Sequence, residues 1–295
     1  MEGWTDRNEL LDALTEVKRE VDSYLTASLD EMPIESRARE MLVYAALGEG
    51  KRLRPALLLW ACQSVGRGSS LPGGSSGSGW QSVLAAAAGV ECLHAFSLVH
   101  DDLPGMDNAD QRRGKPSVHR VFGVGEAILV GDALFALGLQ LIARSLVALS
   151  VLEACQLMEE ACRAVGVEGM IGGQFVDIEA RRRDEEGWRW LNERKTARLF
   201  QLALRLGTAL GGGDDTQQRI LQRYGLELGL AFQLVDDLLD LPGEDVLSWA
   251  RALGPDESRR RVEEYSRSAL AHLEGFPGEP RFLRLLVTYL AERKR

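Results

Sequence analysis

Several things are scarce in this chain of 295 residues, and each scarcity narrows what the protein can be. Cysteine occurs only as Cys62, Cys92, Cys155 and Cys162, with no CxxC spacing, so neither a thiolate metal site nor a disulfide scaffold is expected. The four sit among apolar residues and read as buried thiols of a reducing compartment. Positive charge is outnumbered, with 35 Lys and Arg against 44 Asp and Glu, a formal net charge of −9. Nucleic acid is therefore disfavoured as a partner, and an anionic ligand would need local positive charge to hold it. Long apolar runs are missing too. The longest, "AILVGDALFALGLQLIA" from Ala127, is short for a membrane span and is broken by Asp132. No basic segment leads into an apolar run at the amino terminus, so no signal peptide is expected and the protein is placed in the cytoplasm.

What is present is helical periodicity. "LLDALTEVKREVDSYLTASL" puts Leu10, Leu14, Val17, Val21, Tyr24 and Leu25 on one stripe. "ARLFQLALRLGTALGG" repeats the pattern and ends in glycines suited to stopping a helix. With no strand alternation between tight turns, the expectation is an all-α chain of about ten or more helices. The Gly- and Ser-rich stretch from Gly66 to Trp80 reads as a surface loop inside one domain spanning residues 1–295.

Charge is distributed unevenly within that pattern. "HDDLPGMDNADQRRGKP" sets Asp101, Asp102 and Asp107 just ahead of Arg112 and Arg113. A second acidic group, "FQLVDDLLDLPG", holds Asp236, Asp237 and Asp240, with Asp236 and Asp240 about 40° apart around a helix. Each group ends a strongly apolar segment, and the two are expected to face each other across an apolar cavity. Clustered carboxylates cost free energy unless a cation joins them, and all-oxygen donors suit Mg²⁺, which typically takes one or two carboxylates together with substrate phosphates. Arginine forks suit phosphate oxygens, and "GEGKRLRP" adds Lys51, Arg52 and Arg54 without the spacing of a Walker loop. "ERKTARL" adds Lys195 and Thr196 within a helix. His94 lies about two turns before Asp101 on a similar face, although a lone His there more often fills a core position. Gln174 and Asp177 read as a buried polar pair, and Asp132 as a structural residue.

Taken together these motifs resemble the trans-prenyltransferase (polyprenyl diphosphate synthase) family over roughly Gly48 to Leu241. The DDxxxxD motif followed by RRG matches Asp101, Asp102, Asp107, Arg112, Arg113 and Gly114, and DDxxD after Phe-Gln matches Phe232, Gln233, Asp236, Asp237 and Asp240. "GKRLRP", "GDAL", "GGQ" and "RKT" match in type and order. The resemblance implies a homodimeric isoprenoid-synthase helical bundle that joins isopentenyl diphosphate to an allylic diphosphate (dimethylallyl or geranyl). It implies Mg²⁺ on Asp101, Asp102, Asp107, Asp236, Asp237 and Asp240, with Arg112, Lys195, Thr196 and Gln233 assisting at the allylic diphosphate. It assigns isopentenyl diphosphate to Lys51, Arg54, His94 and Arg113.

The resemblance also bears on product length. Phe96, roughly 7 Å deeper along the helix than Asp101, is expected to stop the growing tail with Ser97 beside it. With the inserted Pro104 and Gly105, this resembles bacterial farnesyl diphosphate synthases; geranylgeranyl diphosphate is the alternative product. One departure stands out. After the second aspartate motif the family carries a lysine-containing loop, whereas "LPGEDVLSWARALGPDESRRR" has no lysine and is shorter by roughly twenty residues. A weakly active or regulatory subunit is therefore a competing reading.

Overall fold

The computed structural model describes residues 2–66, 78–179, 183–241 and 248–292. Among the described residues the regular structure is helical, apart from one small hairpin. The Gly/Ser stretch expected as a loop lies mostly outside the described residues, at 67–77. The chain divides into two compact units, one of Met1–Leu11, Trp60–Ser70 and Glu159–Arg295, the other of Asp12–Leu59 and Leu71–Met158.

In the second of these units, α4 (Ser78–Asp101) and α6 (Val124–Ser145) pack side by side. Small residues make this possible: a Cβ on Gly138 would stand 2.8 Å from Leu93 Cγ and 2.9 Å from the Gly89 carbonyl. Consequently α4 buries Val83, Val90, Cys92 and Leu93 almost completely. By length and mean hydropathy alone, α4 and α6 would each be able to cross a membrane, but 78% of the apolar window of α4 is buried inside the protein, as in a core helix. The helix α6 is longer than the apolar run read from sequence because Val124, Gly125 and Glu126 precede it in the same helix. Asp132 differs from expectation: it is exposed on α6, with Oδ1 3.9 Å from His100 Nε2.

The other unit is built around α10 (Arg198–Leu210), α11 (Asp215–Asp240) and α13 (Pro255–His272). Asp214 starts α11 through a capping box, its side chain accepting from the Gln217 N–H while the Gln217 side chain accepts from the Asp214 N–H. Leu230, Leu234, Trp188, Trp249 and Tyr265 form one buried cluster against that helix.

The thiols are not uniformly buried. Cys62 and Cys92 are, and burial pushes the Cys62 thiol up to about 12 and that of Cys92 higher still. Cys155 and Cys162 instead lie exposed on α7 (Val151–Val165), where Leu157 and Ala161 supply the buried stripe. The apolar neighbours that suggested burial, Val151 and Leu152, are themselves exposed.

Candidate active site

Both acidic groups sit where helices end. The helix α4 stops at Asp101 and α11 stops at Asp240, so each apolar rod delivers carboxylates at its carboxy terminus. The macrodipole there is negative, which makes the placement unfavourable without positive charge nearby.

At the first group the positive charge is built in. Beyond Asp101 the chain curls until the Asp107 N–H donates to the Asp101 carbonyl at 2.9 Å, bringing the first and last acids of the motif together. A hairpin follows, in which β1 (Gln111–Arg112) pairs antiparallel with β2 (Lys115–Pro116). These two-residue strands depart from the strand-free reading. Its turn residues, Arg113 and Gly114, have φ of 53° and 76°, as a two-residue I′ turn requires. For an arginine that conformation is strained, and it aims the two arginines of the hairpin at different partners. Arg112 donates from Nε (2.9 Å) and Nη2 (2.5 Å) to Asp102 Oδ1, while Arg113 Nη2 lies 3.2 Å from His94 Nε2. Burial opposes the charge on Arg112, but Asp102, with Asp101 and Asp107 behind it, holds its pKa above the ordinary value.

His94 is the centre of a cationic group. Burial, then the charges of Arg54, Arg113, Arg52 and Arg112, push its pKa well below the usual histidine range, so it is neutral. Arg113 is itself lowered, first by burial and then by repulsion from Arg52 and Arg112, with Glu91 pulling the other way. Repelling arginines around a neutral imidazole form a ready site for an anion. His100 has a different task. Its Nε2 lies 3.1 Å from the Ile128 carbonyl, and the ring occupies the space a Cβ on Gly131 would need, 2.0 Å away. The glycine of "GDAL" thus lets the end of α4 clasp α6. Phe96 is buried, edge-on to Phe135 at 5.1 Å and to His100 at 5.9 Å, and the Ser97 hydroxyl donates to the His94 carbonyl.

The second acidic group belongs to a separate polar chain. Lys195 and Thr196 lie in a π-turn, Glu193–Ala197, joining α9 (Glu185–Asn192) to α10, rather than in a regular helix. Such turns re-aim side chains at functional positions. Close packing supports it: a Cβ on Gly173 of α8 (Met170–Asp177) would lie 2.9 Å from the Lys195 nitrogen. Lys195 Nζ donates to Asp177 Oδ2 at 2.7 Å. Asp177 is therefore committed to Lys195 and not to Gln174, whose buried Oε1 has no hydrogen-bond donor among the described residues, so the expected pair does not form. The Thr196 hydroxyl donates to Gln233 Oε1 at 2.7 Å, and Gln233 Nε2 donates to Asp237 Oδ1 at 2.9 Å. Burial raises the Asp237 pKa, against hydrogen bonds from Gln233 and from the backbone of Ala250 and Trp249. Asp236 is half-buried and Asp240 is exposed.

The lysine-free stretch after this motif falls partly on residues 242–247, outside the described set. From Ser248 it forms α12 (Trp249–Leu253), with Trp249 fully buried and the Ala250 N–H 3.3 Å from Asp237 Oδ2. Sequence reading missed this anchor; the signal was an apolar tryptophan just beyond a glycine-bearing gap.

Magnesium fits the donor chemistry of both groups, since every candidate ligand is a carboxylate oxygen. Among the described residues no three acidic, histidine or cysteine side chains converge into a ready cage.

Comparison with known proteins yields a concordant set. Residues 35–248 match the polyprenyl synthetase family model. A geranylgeranyl pyrophosphate synthase of Arabidopsis thaliana (number 3, chloroplastic) is 34% identical, with 98% of this chain and 83% of that protein covered. An FPP/GFPP synthase from Zymomonas mobilis superposes with a TM-score of 0.86 at 32% identity, covering 96% of this chain and 99% of that one. A geranyltransferase from Legionella pneumophila gives 0.85 at 28% identity, covering 99% and 98%.

Proposed function

The chain belongs to the polyprenyl synthetase family, and from that premise we propose that it makes farnesyl diphosphate by joining isopentenyl diphosphate head to tail to dimethylallyl or geranyl diphosphate. The family brings prenyl transfer and the condensation of isoprenoid diphosphates. Phe96 carries the fifteen-carbon product: a buried aromatic one and a half turns before Asp101, backed by Phe135, leaves little depth beside α4 for a longer tail. A second reading, geranylgeranyl diphosphate, is favoured by the name of the Arabidopsis relative.

In this reading Lys51, Arg54, His94 and Arg113 take isopentenyl diphosphate, and Arg112, Lys195, Thr196 and Gln233 take the allylic diphosphate. Asp101, Asp102, Asp107, Asp236, Asp237 and Asp240 are the carboxylates offered to Mg²⁺. When bound, Mg²⁺ neutralises charge that builds on the departing diphosphate. Guanidinium forks add directed hydrogen bonds to the same oxygens. The apolar side chains of α4 keep water from an allylic cation, so that the alkene of isopentenyl diphosphate is the nucleophile it meets.

A second copy of the chain is the proposed partner. Val124, Ile128 and Leu129 of α6 are exposed, Leu129 by 68%, and form an apolar face suited to a symmetric contact. The test of function is purified protein with Mg²⁺, isopentenyl diphosphate and geranyl diphosphate, followed by chain-length analysis. A fifteen-carbon product supports the reading, a twenty-carbon product supports the second one, and no diphosphate release points to a subunit that needs an active partner.

A further inference from the structure

We propose that Arg52 and Glu91, which lie beneath the cationic group and are not among its ligand-binding side chains, are positioning residues that set where Arg113 meets isopentenyl diphosphate. The proposal rests on the reading of Lys51, Arg54, His94 and Arg113 as the isopentenyl diphosphate site.

Arg52 is the most committed side chain in that unit. It is 2% exposed and sits at φ 51°, a left-handed conformation that a non-glycine residue adopts only when its surroundings hold it there. Its Nε donates to Asp22 Oδ1 at 2.7 Å and its Nη1 to Glu91 Oε1 at 2.9 Å. The remaining nitrogen, Nη2, donates to the carbonyls of Ala46 and Gly48 at 3.0 and 3.3 Å. One guanidinium thus ties α1 (Glu2–Asp30), α4 and the carboxy-terminal end of α2 (Ser36–Ala46) to the loop that carries Lys51. A buried ion pair is weak evidence for stability, because apolar replacements often fold as well or better. A role in specifying local geometry accounts for retaining it.

That geometry reaches Arg113 through Gly50. A Cβ on Gly50 would lie 2.4 Å from Arg113 Nη1 and 3.0 Å from Arg52 Nη1, so the two guanidinium groups flank a glycine with no room for a side chain. Like charges at that spacing repel, and the carboxylate of Glu91 attracts both. Arg113 is held between these influences with its Nη2 beside His94. Neither Arg52 nor Glu91 needs to touch substrate for its charge and position to fix the arginine that does.

Kinetics with separate variation of the two substrates test this. Arg113→Gln is the reference and is expected to raise KM for isopentenyl diphosphate with little change for the allylic substrate. Glu91→Gln and Gly50→Ala are each expected to raise KM for isopentenyl diphosphate about tenfold, with the allylic KM within about twofold. Arg52→Lys, which keeps charge but loses the fork, should fall between wild type and Glu91→Gln. A purely structural role would lower the melting temperature of Glu91→Gln and leave the ratio of the two KM values unchanged. Arg52→Lys keeps the buried charge beside Glu91 and leaves Arg113 untouched, so it carries the test if Glu91→Gln fails to fold. If Arg113→Gln raises KM for isopentenyl diphosphate while Glu91→Gln and Arg52→Lys do not, the proposal is overturned. If Arg113→Gln itself leaves that KM unchanged, the assignment of the site is overturned, and the proposal with it. A simple field effect makes the opposite forecast for Glu91→Gln, a lower KM, because the variant makes the site more positive.

Discussion

Arg112 grips Asp102 by a single oxygen, with Nε and Nη2 both directed at Oδ1, at 2.9 and 2.5 Å. The Asp102 side chain is 3% exposed, so its charge is answered by the hairpin and not by water. Removing the guanidinium leaves a carboxylate in a dry place. Arg112→Ala is expected to lower unfolding stability by about 2 kcal/mol, less than a fully buried pair because Arg112 is partly solvated. Asp102→Asn should recover part of that loss in the double variant, a coupling readable by urea denaturation.

The neutral state of His94 has a pH signature. Its folded pKa lies below the ordinary value because of burial and the arginines at 54, 113, 52 and 112. The unfolded chain therefore takes up a proton at this residue near pH 6.5 that the folded chain refuses. The stability owed to this group is complete above that pH and falls away as the pH drops below it, towards the folded pKa. A melting temperature that declines between about pH 7 and 5.5, with a shallower decline in His94→Gln, is the expected outcome.

Phe96 is the residue on which product length turns. Phe96→Ala opens space beside Phe135 and is expected to shift product from fifteen to twenty carbons or more. It also leaves a cavity, at a cost of about 3 kcal/mol in stability, so assays belong well below the melting temperature. Chromatography of the dephosphorylated products gives the answer, and an unchanged distribution would show that the tail does not pass Phe96.

The outward face of α6 makes a prediction about assembly. Leu129→Glu puts a charge into the middle of the exposed apolar face and is expected to convert a dimer to a monomer by light scattering. Wild type measured as a monomer at micromolar concentration would remove the proposed contact.

The helical architecture was legible because apolar spacing is a local property. The ends of α4 and α11 at Asp101 and Asp240 were marked by the change from apolar to acidic residues. Motif residues could be named for the same reason. What they bond to could not: that Asp177 takes Lys195 and leaves Gln174 unanswered depends on a π-turn, which no periodicity announces. Arg112 and Arg113 look equivalent in sequence, yet a left-handed φ at Arg113 turns them to different partners. Cys155 and Cys162 misled because apolar neighbours on α7 are exposed as well, a placement set by the surface they leave uncovered. Arg52 reads in sequence as one basic residue between two others, and its burial was not legible because that is a property of Asp22 and Glu91, distant in the chain.

The most direct measurement is single-turnover incubation of the purified protein with labelled isopentenyl diphosphate, geranyl diphosphate and Mg²⁺. The expected result is diphosphate release with label appearing in a fifteen-carbon allylic diphosphate, lost when Mg²⁺ is chelated. Label remaining in isopentenyl diphosphate, with Mg²⁺ present and the protein folded, would contradict it.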